Sequence, residues 1–153
     1  MQAEHDSGKG KLKWHKNSTQ KRDAYIAKTL QAGIRLHLYY EGFEGAELSY
    51  ELTTVYATAN AIHAFIRRER ITDYKATVII DGLPRSMQGR VGKLLRNAGI
   101  KTKSVRGERD EANPGIRLAD AVPGLLRQAY QGDRHFQALK DGLESSGALE
   151  QLP

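Results

Sequence analysis

Apolar side chains recur along this chain at two spacings, one typical of helices and one of strands. From about residue 46 to residue 70 they lie alternately four and three apart, so they share one face of an α-helix. Residues 75–80 form a β-branched run, which predicts a strand of a parallel sheet that is buried on both faces. Alternation at period two over residues 34–40 predicts a strand with one solvent-exposed face. The helical stripe consists of Leu48, Leu52, Val55, Ala59, Ile62 and Ile66.

Helix-start and helix-stop residues bound the other elements. Asn113 followed by Pro114 is an N-cap with proline at the first helical position, whereas Gly99 is a helix stop. Pro123 lies inside the helix that Asn113 opens and predicts a kink there. The alternating order indicates an α/β fold. The predicted helices are 18–32, 46–70, 85–98 and 113–130, with a weak one at 135–143, and the predicted strands are 34–40, 75–80 and 100–105.

The length of 153 residues fits one compact domain, because a second hydrophobic core would not fit. Residues 1–17 are polar and basic and are expected to form a flexible lead-in. Residues 18–131 are expected to form a single α/β domain. Residues 132–153 are expected to be a C-terminal helix followed by a polar tail.

Composition narrows the classes of function. The chain has no cysteine, which excludes disulfides, thiolate metal sites and a cysteine nucleophile. It has no apolar run of the ~20 residues that span a bilayer and no signal-peptide pattern, so a soluble, cytoplasmic protein without membrane contact is expected. With 24 Lys and Arg against 18 Asp and Glu, the net charge is +6. A basic chain favours a polyanionic partner such as DNA or RNA.

Two aspartates are candidates for chemistry. Asp81 directly follows the β-branched run, and sites of open parallel sheets form beyond the carboxyl ends of strands. The alternative is a plain turn, in which Asp81 accepts backbone hydrogen bonds. Asp120 lies within the apolar stretch 116–126, where an unpaired carboxylate would be costly to bury. It is expected to form either a salt bridge with Arg117 or, with Asp81, a site for Mg²⁺ or Mn²⁺.

Four motifs stand out along the chain: Lys11-Leu12-Lys13-Trp14, Ile79-Ile80-Asp81-Gly82-Leu83, Arg106-Gly107-Glu108-Arg109-Asp110-Glu111 and Ile116-Arg117-Leu118-Ala119-Asp120-Ala121. The segment 105–111, with charges of both signs, contributes to the third and is a candidate border of the site. In this order and spacing, the four motifs resemble those of the family called domain of unknown function 3800. The resemblance covers about residues 11–130, and its most specific motif is the leucine-alanine-aspartate around Asp120.

The resemblance implies an RNase H-like three-layer fold, with a mixed sheet flanked by helices and acidic residues at the strand ends that hold divalent ions. It implies a metal-dependent nuclease that hydrolyses phosphodiesters, with Asp81 and Asp120 as catalytic metal ligands. Lys13 and Arg117 match basic positions of the family and are expected to contact the phosphates of a nucleic acid.

The beginning of the chain departs from the family pattern. Only Asp6-Ser7-Gly8 stands where the family has an aspartate-bearing first strand, so an N-terminally truncated fold is expected. Pro123 departs as well, close to Asp120. Three hypotheses follow. The protein is a nuclease, or it is an inactive domain that binds nucleic acid or another protein. In the third hypothesis the missing strand is supplied from upstream of Met1, by a second copy in a homo-oligomer or by a partner chain.

Overall fold

A computed structural model describes residues 37–42, 48–109 and 113–153, which form four helices and four strands mixed along the chain. The α/β class predicted from the sequence is therefore confirmed. The predicted lead-in over residues 1–17, the predicted helix over 18–32 and the start of the 34–40 strand lie outside the described residues. The elements are β1 (Leu38–Tyr40), α1 (Tyr50–Glu69), β2 (Ala76–Asp81), α2 (Arg85–Asn97), β3 (Thr102–Glu108), α3 (Pro114–Tyr130), α4 (Arg134–Ser145) and β4 (Leu149–Gln151).

These elements belong to two compact units. The β2–β3 unit comprises Tyr39–Glu108 and Gln151–Pro153, and it contains α1, β2, α2 and β3. The α3–α4 unit includes Arg109–Glu150 and Leu38.

Local signals fix the ends of the helices in the β2–β3 unit. The Ser49 side chain accepts a hydrogen bond from the Leu52 backbone N–H at 3.2 Å, which caps the start of α1. At the other end Arg70 adopts a left-handed conformation with φ 53°. α2 ends just before Gly99, whose φ is 86°. The core between these helices and the strands consists of Val55, Ala59, Val78, Leu83, Val91, Leu95 and Ile100.

β2 and β3 are parallel, as the β-branched run predicted, but β2 is not buried on both faces. Val78 and its neighbours Ala76 and Ile80 pack against the core, together with Val105 of β3. The opposite face of the two strands carries Thr77, Ile79 and Asp81 on β2 and Ser104, Arg106 and Glu108 on β3. Most of these side chains are exposed, so the prediction of two buried faces was wrong.

The register of the two strands shifts once, near their start. Ala76 is opposite Thr102, but Thr77 is opposite Ser104, so Lys103 is an extra residue on β3. This is a β-bulge, which bends the strand locally and changes the direction of the inserted side chain.

In the α3–α4 unit, α3 spans the predicted residues and continues through Pro123. Asn113 caps it by accepting hydrogen bonds from the backbone N–H groups of Gly115 at 2.8 Å and Ile116 at 3.3 Å. On α4 the Glu144 carboxylate accepts a hydrogen bond from Lys140 at 3.1 Å, which raises the pKa of that ammonium.

β4 occupies part of the segment that was predicted to be a polar tail. It pairs with β1 in a second two-stranded sheet. Leu38 N–H donates to the Ala148 carbonyl at 2.8 Å, and Leu152 N–H donates to the Tyr40 carbonyl at 2.8 Å. In the part of the chain that the structure describes, no helix is long and apolar enough to cross a membrane.

Candidate functional site

Asp81 is the last residue of β2, and its side chain is exposed. The chain then turns through Gly82, which has φ 65°, a conformation that favours glycine. Leu83 follows and is buried, so it anchors the turn in the core. The turn expected as the alternative for Asp81 is thus present, and it sets the carboxylate at the carboxyl end of the strand.

The turn after β2 lies directly against the end of β3. A side chain on Gly107 would place its Cβ 2.1 Å from the Leu83 carbonyl oxygen, so only glycine fits there. Next to this contact, the Gly82 N–H donates to the Glu108 carbonyl at 3.0 Å. These two interactions fix the ends of β2 and β3 side by side.

Glu108 is the register partner of Asp81 across the parallel pair. Residues in register on neighbouring strands present their side chains on the same face, and the strands are about 4.8 Å apart. Asp81 and Glu108 therefore form a pair of carboxylates at the carboxyl edge of the sheet, on the face opposite the core. Glu108 is half-buried, whereas Asp81 is exposed.

One arginine and one tyrosine lie next to this carboxylate pair. Arg106 lies two residues before Glu108 on the same face, and its Nε is 2.9 Å from Glu108 Oε1. The side chain of Arg106 is 53% exposed, so this ion pair is open to solvent on the arginine side. Tyr50, in the first turn of α1, brings its hydroxyl to 3.5 Å from the Asp81 carbonyl oxygen. The beginning of α1 thus reaches the same edge of the sheet.

A second ion pair joins α1 to α2. Arg90 Nε lies 2.7 Å from Glu51 Oε1, and the Glu51 side chain is only 13% exposed. Glu51 belongs to α1, whereas Asp81 and Glu108 are the carboxylates at the carboxyl ends of β2 and β3.

Asp120 has a different environment from the one predicted. It is exposed on α3, where Asp120, Pro123, Arg127 and Tyr130 follow one another at spacings of three, four and three along an exposed stripe. The expectation of a carboxylate within a buried apolar stretch was therefore wrong. Asp120 belongs to the α3–α4 unit and Asp81 to the β2–β3 unit.

Of the two basic residues predicted to contact phosphate, the structure describes only Arg117. Arg117 is buried, with 6% of its surface exposed, so it lies within the packed side of α3. Lys13 lies outside the described residues. Contact with nucleic acid stays a prediction for both residues.

Sequence reasoning missed Glu108 as the partner of Asp81. Its segment, 105–111, was expected only to border the site, and the strand before it was predicted to end at Val105. β3 in fact continues to Glu108, and this extension brings the carboxylate into register with Asp81. Extending the predicted strand by three residues, from Val105 to Glu108, would have placed Glu108 opposite Asp81 in a parallel pair.

The carboxylate pair has the donor chemistry for a hard divalent cation. Mg²⁺ is usually held by one or two carboxylates while it keeps several of its waters. Among residues 37–42, 48–109 and 113–153 no group of three or more His, Cys, Asp or Glu could hold a metal ion. Two carboxylates thus fit a water-rich Mg²⁺ or Mn²⁺ site but not a closed, all-protein one.

Comparisons with protein-family models, with curated proteins and with solved structures found no match.

Proposed function

We propose that this protein is an RNase H-like, Mg²⁺- or Mn²⁺-dependent nuclease that hydrolyses phosphodiesters, of the kind that its motifs resemble in the domain of unknown function 3800. The observation that carries the proposal is the register pairing of Asp81 with Glu108 at the carboxyl edge of a parallel pair of strands. Carboxylates gathered at strand ends are the metal-holding arrangement that this resemblance implies. The three-layer arrangement of the RNase H-like fold is part of the proposal.

Asp81 and Glu108 would hold the cation through their carboxylate oxygens. The family resemblance also implies a ligand role for Asp120, and this role is tested separately below. When bound, a divalent cation supplies an activated water and stabilises charge on the phosphoryl oxygens. Arg106, exposed beside Glu108, is placed to bind a phosphate oxygen of the substrate. The net charge of +6 supports a polyanionic substrate over an uncharged one.

A calorimetric titration of Mn²⁺ into the full chain tests the cation site. Wild type is expected to bind saturably, and Asp81→Asn and Glu108→Gln are each expected to weaken binding by at least about tenfold, since outer partners of metal sites alone change affinity by about 10–100-fold. Asp120→Asn tests the ligand implied by the family resemblance. Asp141→Asn removes one exposed carboxylate on α4 and serves as the charge-matched control.

Circular dichroism should first establish that each variant is folded. Mn²⁺ binding that is lost in the site variants and retained in Asp141→Asn supports the site, and cleavage of a labelled oligonucleotide with Mn²⁺ then tests hydrolysis. A folded wild type that binds no Mn²⁺ contradicts the proposal. If only Asp120→Asn lacks an effect, the cation is held by Asp81 and Glu108 alone.

The ion pair between Arg106 and Glu108 favours a second candidate function, an inactive nucleic-acid-binding domain. In that case the arginine already neutralises Glu108, and no cation is needed at the edge of the sheet. Arg106→Gln separates the two functions. A metal site predicts tighter Mn²⁺ binding in this variant, because a competing cation is removed, whereas a purely structural ion pair predicts no Mn²⁺ binding and a lower stability.

A further inference from the structure

A cleft of about 360 Å³ lies between α2 and β3, inside the β2–β3 unit and apart from the carboxylate pair. Gly89 and Gly92 line its helix side, and Lys103 and Ser104 line its strand side. Arg96 also lines it, one turn after Gly92 on α2. None of these five residues contributes to the site described above.

Two glycines inside one helix keep the cleft open. Glycine in a helix interior is less favourable than alanine by about 1 kcal/mol, so this pair weakens α2. A Cβ on Gly92 would lie 3.2 Å from Arg96 Nη1 and 3.5 Å from Val105 Cγ2, which shows how closely the arginine and β3 approach the helix there. A Cβ on Gly89 would meet nothing within 4 Å, so the cleft is open above that residue.

The charged residues among the described residues that line the cleft, Arg96 and Lys103, are both positive. Arg96 is exposed and donates weakly from Nη1 to Thr102 Oγ1 at 3.4 Å, which holds the guanidinium over the cleft. Lys103 is the extra residue of the β-bulge and is exposed. Neither side chain forms an ion pair with a carboxylate among the described residues. α2 itself contains no acidic residue.

The uncharged lining suits the same kind of ligand. Gln88 and Thr102 add an amide and a hydroxyl, and such groups donate hydrogen bonds to phosphate oxygens in nucleic-acid complexes. Among the described residues that line the cleft, Val105 is the only large apolar one. The lining therefore favours a polyanion over an apolar ligand.

We infer that this cleft binds the phosphodiester backbone of a nucleic-acid strand, with Arg96 and Lys103 contacting separate phosphates. The inference deepens the proposed function and rests on it, because the proposed function identifies the bound polyanion as the substrate. Lys103 and Glu108 are five residues apart on β3, or roughly 17 Å at a rise of ~3.3 Å per residue. A strand of nucleic acid spans that length with only a few nucleotides, since even within a double helix each nucleotide of a strand rises ~3.4 Å.

Binding is measured by fluorescence anisotropy of a labelled single-stranded DNA oligonucleotide with the full chain in EDTA, where hydrolysis cannot occur. The Arg96→Gln/Lys103→Gln double variant is expected to bind about tenfold more weakly. Its plot of log affinity against log salt concentration is expected to be shallower by about 1.4, from ~0.7 per lost phosphate contact. Lys75→Gln, an exposed lysine before β2 and outside the cleft, is expected to retain wild-type binding.

A matched pair at Gly89 tests the cleft from its other side. Gly89→Gln and Gly89→Glu add side chains of nearly equal size in open space, and both improve the helix propensity of α2. The carboxylate is expected to weaken DNA binding about tenfold more than the amide does, because it repels phosphate. Equal binding by the two variants would contradict the inference.

The outcomes separate this inference from the proposed function. Loss of DNA binding in the cleft variants, together with unchanged Mn²⁺ titrations, supports the cleft whether or not the carboxylates bind metal. DNA binding that the Asp81→Asn and Glu108→Gln variants retain in EDTA also supports the cleft. The inference is overturned if wild type does not bind the oligonucleotide, or if the double variant binds it as tightly as Lys75→Gln does.

Discussion

Gly107 shows how a single residue positions the candidate site. Its Cα faces the Leu83 carbonyl oxygen so closely that an added Cβ would lie 2.1 Å from that oxygen. The obstacle is backbone, which cannot rotate away as a flexible side chain would. We expect Gly107→Ala to lower the free energy of unfolding by about 1–3 kcal/mol, the usual range for overpacking, and to shift the turn at Gly82. Urea denaturation followed by circular dichroism measures the change.

Gly89→Ala is the matched control for that prediction, because it makes the same substitution in the same unit without a contact. It replaces glycine in a helix interior, so we expect it to raise the free energy of unfolding by up to about 1 kcal/mol. A Gly107→Ala protein as stable as Gly89→Ala would show that the turn after β2 is not held against β3.

Gly107 also explains why Asp81 could be predicted from the sequence as a site residue and Glu108 could not. Asp81 follows four apolar or β-branched residues, and this pattern marks the end of a strand. Glu108 follows Arg106 and Gly107, a polar residue and a glycine that look like a loop in the sequence. They lie in a strand because one face of β3 is exposed and because Leu83 requires a glycine opposite it. That requirement is a tertiary contact and leaves no periodic signal.

At the scale of elements, α3 offers the sharpest test of a local signal. The Asn113 side chain accepts hydrogen bonds from the N–H groups of Gly115 and Ile116, which otherwise lack partners within the helix. We expect Asn113→Ala to lower the free energy of unfolding by about 1 kcal/mol, whereas Asn113→Asp should preserve it, since aspartate caps equally well. Thermal unfolding of wild type and the two variants tests this prediction. Equal melting temperatures for wild type and Asn113→Ala would contradict the cap.

Helices were predicted better than strands because their signals are local. The predicted bounds of α2 and α3 agree with the structure to within one residue, since caps and glycine stops lie next to the apolar stripes. β4 was predicted as a polar tail, because it forms by pairing with β1 more than a hundred residues away. The exposure of Asp120 was missed because the polar stripe of α3 contains Pro123 and Tyr130, which do not stand out as polar in the sequence.

At the scale of the whole molecule, the C-terminal residues 149–152 contribute one buried leucine to each unit. Leu149, 3% exposed, belongs to the α3–α4 unit, and Leu152, 7% exposed, belongs to the β2–β3 unit. Removing either side chain to alanine is expected to cost about 2–5 kcal/mol in the unit that it packs in. If each unit has its own cooperative opening, the two substitutions should act on different helices.

Hydrogen exchange measured by mass spectrometry reads this out segment by segment. We expect Leu152→Ala to speed exchange in α1, β2 and α2, and Leu149→Ala to speed it in α3 and α4. Glu150→Ala is the control, because this exposed residue lies between the two leucines and its loss should change stability by less than about 0.5 kcal/mol. Equal acceleration by both leucine variants in the four helices of the described residues would show that these residues open in a single cooperative step.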